Sequence, residues 1–71
     1  MGVLEDLADA LAKDAIDASE KLGSDDIITA VAKQLGATST TMEETYLTSI
    51  RIRLSERRAR RFLEEQLKKG G

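Results

Sequence analysis

The sequence predicts an all-α fold: a small three-helix domain with a long C-terminal helix. Three observations support this prediction. Apolar residues recur at steps of three and four along most of the chain, as on one face of a helix. Glycines follow each periodic stretch, at positions 23, 36 and 70–71. The stretch from Thr40 to Lys69 contains neither glycine nor proline, so nothing in it interrupts a helix.

The first helix is expected over residues 3–22. Its small and branched apolar residues form one stripe: Leu4, Leu7, Ala8, Leu11, Ala15, Ala18 and Leu22. Gly23 is placed to end this helix in the left-handed conformation. Ser24 then caps a short second helix, predicted over residues 25–35, whose apolar positions indicate burial and which ends at Gly36.

The third helix is expected over residues 41–69, because Thr41 and Glu44 have the spacing of a capping box. It carries two apolar faces that change over near Ser55. Either the helix bends or breaks there, or its second half packs against something that the first half does not touch. The predicted core of the domain comprises Leu7, Leu11, Ala15, Ile28, Val31, Leu35, Tyr46, Leu47, Ile50 and Leu54, with the Tyr46 hydroxyl at the surface.

Composition limits the function. The 71 residues allow a single domain, residues 1–71, with a small core that often needs a partner subunit for stability. The chain has no cysteine and no histidine, so we expect no disulfide, no metal, no other cofactor and no ordinary nucleophile–base pair. An enzyme acting on a small-molecule substrate is therefore not expected.

The charge of the chain is divided unequally. Residues 1–36 carry a balance of −5 and residues 37–71 a balance of +3, which favours a charged partner surface or contact between the two halves. No apolar run is long enough to span a membrane, and the first residues do not form a signal peptide. We expect a cytoplasmic protein without membrane contact.

Residues 28–46 contain the spacing Ala32, Gly36, Met42. A small residue permits close helix crossing, a glycine permits a turn with positive φ, and an apolar residue closes the small core. This segment resembles the helix-turn-helix of DNA-binding domains. The resemblance implies that the start of the third helix reads bases and that Thr40 and Thr41 lie at the nucleic acid. Glu43 and Glu44 depart from the pattern, because they place negative charge near the phosphates.

The third helix also carries six arginines within eleven residues: Arg51, Arg53, Arg57, Arg58, Arg60 and Arg61. Arginine suits bidentate contact with phosphate or carboxylate. Glu56 and Arg60 have the spacing of an intrahelical pair. Arg51, Arg53, Arg57 and Arg58 have no acid four residues away, so an acidic partner, including the first helix of a neighbouring chain, is one explanation of these residues.

Two functions remain open. The first is a helical interaction or assembly module that binds a protein partner or itself, as a homodimer, through Ile52, Arg57, Arg58, Phe62, Leu63 and Leu67. The second is a regulatory helix-turn-helix protein that binds nucleic acid through Thr40, Thr41, Arg51, Arg53, Arg57, Arg58 and Arg61. The acidic turn and the negative net charge favour the first.

Overall fold

The computed structural model describes residues 2–70 and contains three helices, in agreement with the predicted fold class. Helix α1 comprises Val3–Leu22, α2 comprises Asp26–Gly36, and α3 comprises Thr40–Gly70. Helix α3 continues through Ser55 without interruption. A break at that residue is therefore wrong. Residues 58–70 are exposed, so packing of this second half against another surface stays a prediction.

The predicted end of α1 at Gly23 is confirmed, whereas α2 begins at Asp26, with Asp25 rather than Ser24 directly before it. Gly23 has a φ of 69°, and its N–H donates to the Ser19 carbonyl, as in a left-handed helix end. The hydroxyl of Ser24 accepts a hydrogen bond from the Asp26 N–H at 3.2 Å, so Ser24 satisfies one of the free donors at the start of α2.

The start of α3 differs from the prediction. The Ser39 hydroxyl accepts the N–H of Met42 at 3.1 Å, so Ser39 caps the helix and Thr41 lies inside its first turn. Serine and threonine both cap well, and Ser39 is also tied to α2, because its own N–H donates to the Leu35 carbonyl at 2.7 Å. This local bond fixes the short connection of residues 37–39 and favours the earlier start.

Gly36 also behaves differently from the expectation. Among the described residues only Gly23 has a positive φ, so the connection between α2 and α3 does not use the left-handed conformation at Gly36. Instead Gly36 leaves room for a neighbour: a Cβ there would lie 2.8 Å from the Glu43 Oε1 atom. The value of glycine at this position is the close approach of the Glu43 side chain.

The core is built from the small residues of α1 and the larger residues of α2 and α3. Four predicted core residues are buried, namely Ala15, Ile28, Tyr46 and Ile50, and five pack partly buried against them, namely Leu11, Val31, Leu35, Leu47 and Leu54. The prediction was wrong for Leu7, which is 56% exposed. It also omitted four buried apolar residues: Ala8, Ala12, Ile16 and Ala32.

The differences in α1 have one cause, which is a rotation of this helix about its axis. Ala8 and Ala12 are fully buried, so α1 presents methyl groups to its neighbours and turns Leu7 toward solvent. Small residues allow close approach, and the large Tyr46 and Ile16 side chains fill the remaining space.

Tyr46 occupies the centre of this core. Its side chain is fully buried, and its hydroxyl donates a hydrogen bond to the Ile28 carbonyl of α2 at 2.9 Å. The prediction of a surface hydroxyl was wrong, because the α2 backbone offers an acceptor inside the core. Burial raises the pKa of the Tyr46 phenol, since the phenolate would lose its hydration.

The second half of α3 extends beyond the packed body. Every residue from 58 to 70 is exposed, whereas α1 and α2 cover the first half of the helix. The chain has a radius of gyration of 14.4 Å and extents of 50 × 30 × 13 Å. A compact chain of this length would have a radius near 11 Å. The projecting helix end accounts for the larger value.

Candidate protein-docking surface on the C-terminal helix

The projecting end of α3 carries an apolar face that nothing within residues 2–70 covers. We call it the C-terminal face; it consists of Ile52, Ala59, Phe62, Leu63 and Leu67. Its four large side chains are all more than half exposed: Ile52 63%, Phe62 63%, Leu63 53% and Leu67 65%. Ala59 is exposed as well. At 100° per residue this face is centred about 160° from the core residues of the same helix. The two apolar faces predicted for α3 are therefore present on nearly opposite sides.

Beside this face, Arg53 of α3 forms an ion pair with α1. Its Nε and Nη2 atoms donate to the two carboxylate oxygens of Asp9, at 2.8 and 2.7 Å. This bidentate geometry suits a guanidinium and a carboxylate. The hydrogen bond from Arg53 holds the pKa of Asp9 below its ordinary value.

Arg57 makes a second contact between the same two helices. Its guanidinium donates to the Glu20 carboxylate and, at 3.5 Å, to the Asp17 carboxylate. Lys13 also binds Asp17 at 3.2 Å, and the two cations lower the pKa of Asp17, with the Lys13 hydrogen bond contributing most. The acidic surface that these arginines bind is thus the α1 helix of the same chain.

The intrahelical pair predicted for Glu56 and Arg60 is present. Arg60 donates from Nε and Nη2 to one oxygen of Glu56, at 2.8 and 2.5 Å. Both side chains are largely exposed, so this pair lies in the range of weak surface interactions. It lies along one edge of the C-terminal face and fixes the position of two charges there.

Three arginines are left for an external ligand. Arg51, Arg58 and Arg61 are exposed, and none of them forms an ion pair within residues 2–70. Arg58 precedes Phe62 by one helical turn, so it borders the C-terminal face. Thr41 lies 17 residues from Arg58, about 25 Å along the helix.

The structure therefore separates the residues that the nucleic-acid prediction grouped together. Thr40 and Thr41 are exposed at the start of α3, close to Glu44. Arg53 and Arg57 are bound to α1, and the remaining arginines lie farther along the helix. By contrast, the predicted protein-binding residues Phe62, Leu63 and Leu67 lie together, with Arg58 beside them.

The α2–α3 pair has some of the features that the helix-turn-helix spacing predicts. The short connection of residues 37–39 joins the two helices, Ala32 is buried in the core, and Met42 packs against the core, but Gly36 is helical and does not form the predicted turn with positive φ. Contact with DNA through this pair stays a prediction.

A shallow groove runs along the base of the C-terminal face. Asp9 of α1 lines it together with Ile52, Arg53, Glu56 and Arg57 of α3. A second shallow depression, lined by Ala59 and Leu63 with Glu56 and Arg60, continues it toward the helix end. The face is therefore continuous from the packed body to the projecting helix.

The unequal charge of the sequence left contact between the two halves as one alternative, but the residues that form the ion pairs between α1 and α3 were not predicted. A signal for them existed, because Asp9, Asp17 and Glu20 lie along one side of α1, while Arg53 and Arg57 are one turn apart on α3. The part of the chain that the structure describes contains no cluster of acidic side chains suited to a metal ion and no helix long and apolar enough to cross a bilayer.

No protein-family model, no curated protein and no solved structure matches this chain. The C-terminal face and the charges around it are therefore the features that bear on function.

Proposed function

We propose that this chain is a small helical assembly module that self-associates through the C-terminal face. The observation that carries the proposal is the position of Phe62, Leu63 and Leu67, which are more than half exposed on a helix end that extends beyond its own domain. Fully burying side chains of this kind contributes roughly 1.5–3 kcal/mol each. Self-association covers the same face on two copies at once.

The lack of packing around the projecting end of α3 also supports self-association. Most helical stability in proteins comes from packing of an apolar face rather than from helix propensity. Residues 58–70 have such a face but receive no packing from α1 or α2. A second helix against this face supplies that packing.

Sedimentation equilibrium over a wide range of protein concentrations tests the proposal. The wild-type chain is expected to associate, and Phe62→Asp combined with Leu63→Asp is expected to be a monomer. These residues make no contact with the core, so circular dichroism should show that the body remains folded. Arg61→Asp is the matched control, because it places an aspartate on the opposite side of the same exposed helix and should leave association intact.

Two results would contradict the proposal. One is a wild-type chain that stays monomeric at every concentration. The other is an associated chain whose sedimentation the double substitution does not change, since association would then use another surface.

Nucleic-acid binding is the second candidate, and the short α2–α3 connection with Ala32 buried beneath it favours this candidate. The exposed Arg51, Arg58 and Arg61 would contact phosphates. The same sedimentation experiment tests it when a mixed-sequence duplex is added at low and moderate salt. Binding that weakens steeply as salt rises would place this function first. An unchanged protein peak at low salt would remove it.

A further inference from the structure

We propose that Ser55 is a phosphorylation site and that a phosphate on its hydroxyl prevents self-association through the C-terminal face. The modifying enzyme is a serine kinase that uses a nucleoside triphosphate and selects arginines around its target. This inference rests on the proposed function and adds to it the means by which association is controlled.

Ser55 lies within the arc of the C-terminal face. Projected at about 100° per residue, it falls between Phe62 and Ala59, and Ile52 lies nearly one turn before it. The serine is exposed, and it is the only residue with a hydroxyl group between residues 50 and 70. A second copy that covers Ile52 and Phe62 therefore also covers Ser55, and an unmodified serine is small enough to lie in such a contact.

Two arginines flank this hydroxyl and leave it between two positive charges. Arg51 precedes Ser55 by about 6 Å along the helix axis, and Arg58 follows it by about 4.5 Å. Side chains three and four residues apart are neighbours on a helix, so both guanidinium groups can reach a phosphate on Ser55. Guanidinium and phosphate groups form strong, often bidentate, hydrogen bonds.

The pairing of the other arginines makes these two distinctive. Arg53 and Arg57 bind carboxylates of α1, and Arg60 binds Glu56 of its own helix. Neither Arg51 nor Arg58 forms an ion pair within residues 2–70. Of the three arginines without such a pair, two are therefore the neighbours of the one hydroxyl on this part of α3.

The position of Ser55 also makes it accessible to an enzyme. It directly follows Leu54, the last residue of α3 that packs against the core, and residues 58–70 are all exposed. Opening α3 back to Ser55 loses the ion pairs of Arg57 but no contact with the core, and local opening of this kind requires little free energy. Four arginines lie within four residues of Ser55, so the opened segment complements a kinase with an acidic substrate groove.

The modification is an ordinary phosphoryl transfer. The Oγ atom of Ser55 attacks the γ-phosphorus of the nucleoside triphosphate, and a new P–O bond forms. The bond from that phosphorus to the bridging oxygen breaks, the nucleoside diphosphate leaves, and a carboxylate of the kinase accepts the hydroxyl proton. Ser55 then carries a charge of about −1.5 to −2 at neutral pH.

This charge opposes association because it lies inside an apolar contact. Covering the phosphate removes its water, and burial of a charge is costly. Its hydrogen bonds with Arg51 and Arg58 are already made in the single chain, so they give association no advantage. A phosphate placed in a hydrophobic interface disrupts that interface. The unmodified chain therefore associates, and the phosphorylated chain remains a monomer.

A synthetic chain with phosphoserine at position 55 tests the effect on association. Sedimentation equilibrium should give a dissociation constant higher than that of the unmodified chain by roughly tenfold or more. Phosphoserine in place of Arg61, on the opposite side of the helix, is the matched control and should leave association intact. If the chain phosphorylated at Ser55 associates as tightly as the unmodified chain, this inference is overturned and the proposed function stands. An unmodified chain that stays monomeric would contradict both.

The contact between phosphate and arginines has a test that does not depend on association. Phosphorus NMR can follow the second ionisation of phosphoserine, whose pKa is ordinarily about 6, in the Phe62→Asp, Leu63→Asp background. Two guanidinium groups favour the dianion, so Arg51→Gln combined with Arg58→Gln should raise this pKa. Arg61→Gln is the control and should change it little. An equal pKa with and without the two arginines would overturn their role.

Protein isolated from its own cells tests whether the modification occurs. Fragment mass spectra, recorded after the cells are treated with phosphatase inhibitors, should assign a phosphate to Ser55. A chain that carries no phosphate at Ser55 under that treatment would overturn the assignment of the site.

Discussion

The Tyr46 hydroxyl was expected at the surface, but the structure places it inside the core. It is fully buried and donates to the Ile28 carbonyl at 2.9 Å, so it joins α3 to α2 inside the core. Tyr46→Phe removes this hydrogen bond and leaves the ring in place. We expect the variant to fold and to lose stability.

The expected loss follows from the geometry. A neutral hydrogen bond of normal length contributes about 0.5–1.5 kcal/mol to stability. The Ile28 carbonyl lies in the first turns of α2 and can still accept a helical hydrogen bond, so the variant leaves no wholly unpaired group. We therefore expect a loss of about 1 kcal/mol. For a domain of this size that loss lowers Tm by roughly 4–8 °C.

Urea unfolding measures this loss directly. The urea concentration at the midpoint of unfolding should fall, while the dependence of the unfolding free energy on urea concentration should not change. Association would make the apparent stability depend on concentration, so the comparison belongs in the Phe62→Asp, Leu63→Asp background. Thr48→Val is the matched control, because it deletes an exposed hydroxyl from the same helix and should change stability by less than about 0.5 kcal/mol. Unfolding midpoints that are equal for Tyr46→Phe and the control would refute a buried, hydrogen-bonded hydroxyl.

Two further predictions concern the helix contacts and helix ends. The folded pKa of Asp9 is lowered by Arg53, so their pair contributes stability above the ordinary pKa near 4 and loses it as the pH falls. The difference in unfolding free energy between wild type and Asp9→Asn should therefore be largest at neutral pH and shrink in acid; a difference that stays constant down to low pH would contradict this. Gly23→Ala should cost roughly 1–2 kcal/mol in urea unfolding, because alanine is strained at a φ of 69°. Gly36→Ala, at a helical φ with only the flexible end of Glu43 in its way, should cost less, and equal losses would refute the distinction.

The sequence predicts the local structure of this chain well, because local signals determine it. The periodicity of the apolar residues gave three helices, Gly23 and Ser24 gave the boundary between α1 and α2, and the absence of breakers gave the length of α3. Helix ends depend on residues within one turn, which the sequence contains explicitly. Where two good capping residues compete, as Ser39 and Thr41 do, the contact with α2 decides, and that contact is less evident from the sequence.

The orientation of α1 required information that no single helix contains. Its apolar residues form a broad stripe, and either the leucine edge or the alanine edge could face the core. The observed choice buries Ala8 and Ala12 and exposes Leu7, because α3 approaches closely and brings Tyr46 with it. A prediction that ranks residues by hydrophobicity favours the leucines, whereas close packing between helices favours the small residues.

The candidate site likewise combines features that the sequence of one helix predicts with features that depend on contacts between helices. The exposed apolar residues of α3 could be selected from the sequence, since their helical positions oppose those of the core residues. The roles of the arginines could not be assigned from α3 alone, because Arg53 and Arg57 find their acids on α1. Once these two are set aside, three arginines remain without an ion pair among the described residues, Arg51, Arg58 and Arg61, and of these Arg58 borders the C-terminal face.

The change of apolar face along α3 follows from where the packed body ends. Up to Leu54 the helix has α1 and α2 on its inner side, and its inward positions are apolar. Beyond Arg57 the same side of the helix has no neighbour among the residues that the structure describes, and its positions are charged: Arg61, Glu64 and Lys68. If this end of the helix only had to remain in solution, its other side would need no apolar residues. Phe62, Leu63 and Leu67 lie on that other side instead, where only a surface approaching from outside the body can cover them. A symmetric pair of helices supplies such a surface without any additional protein.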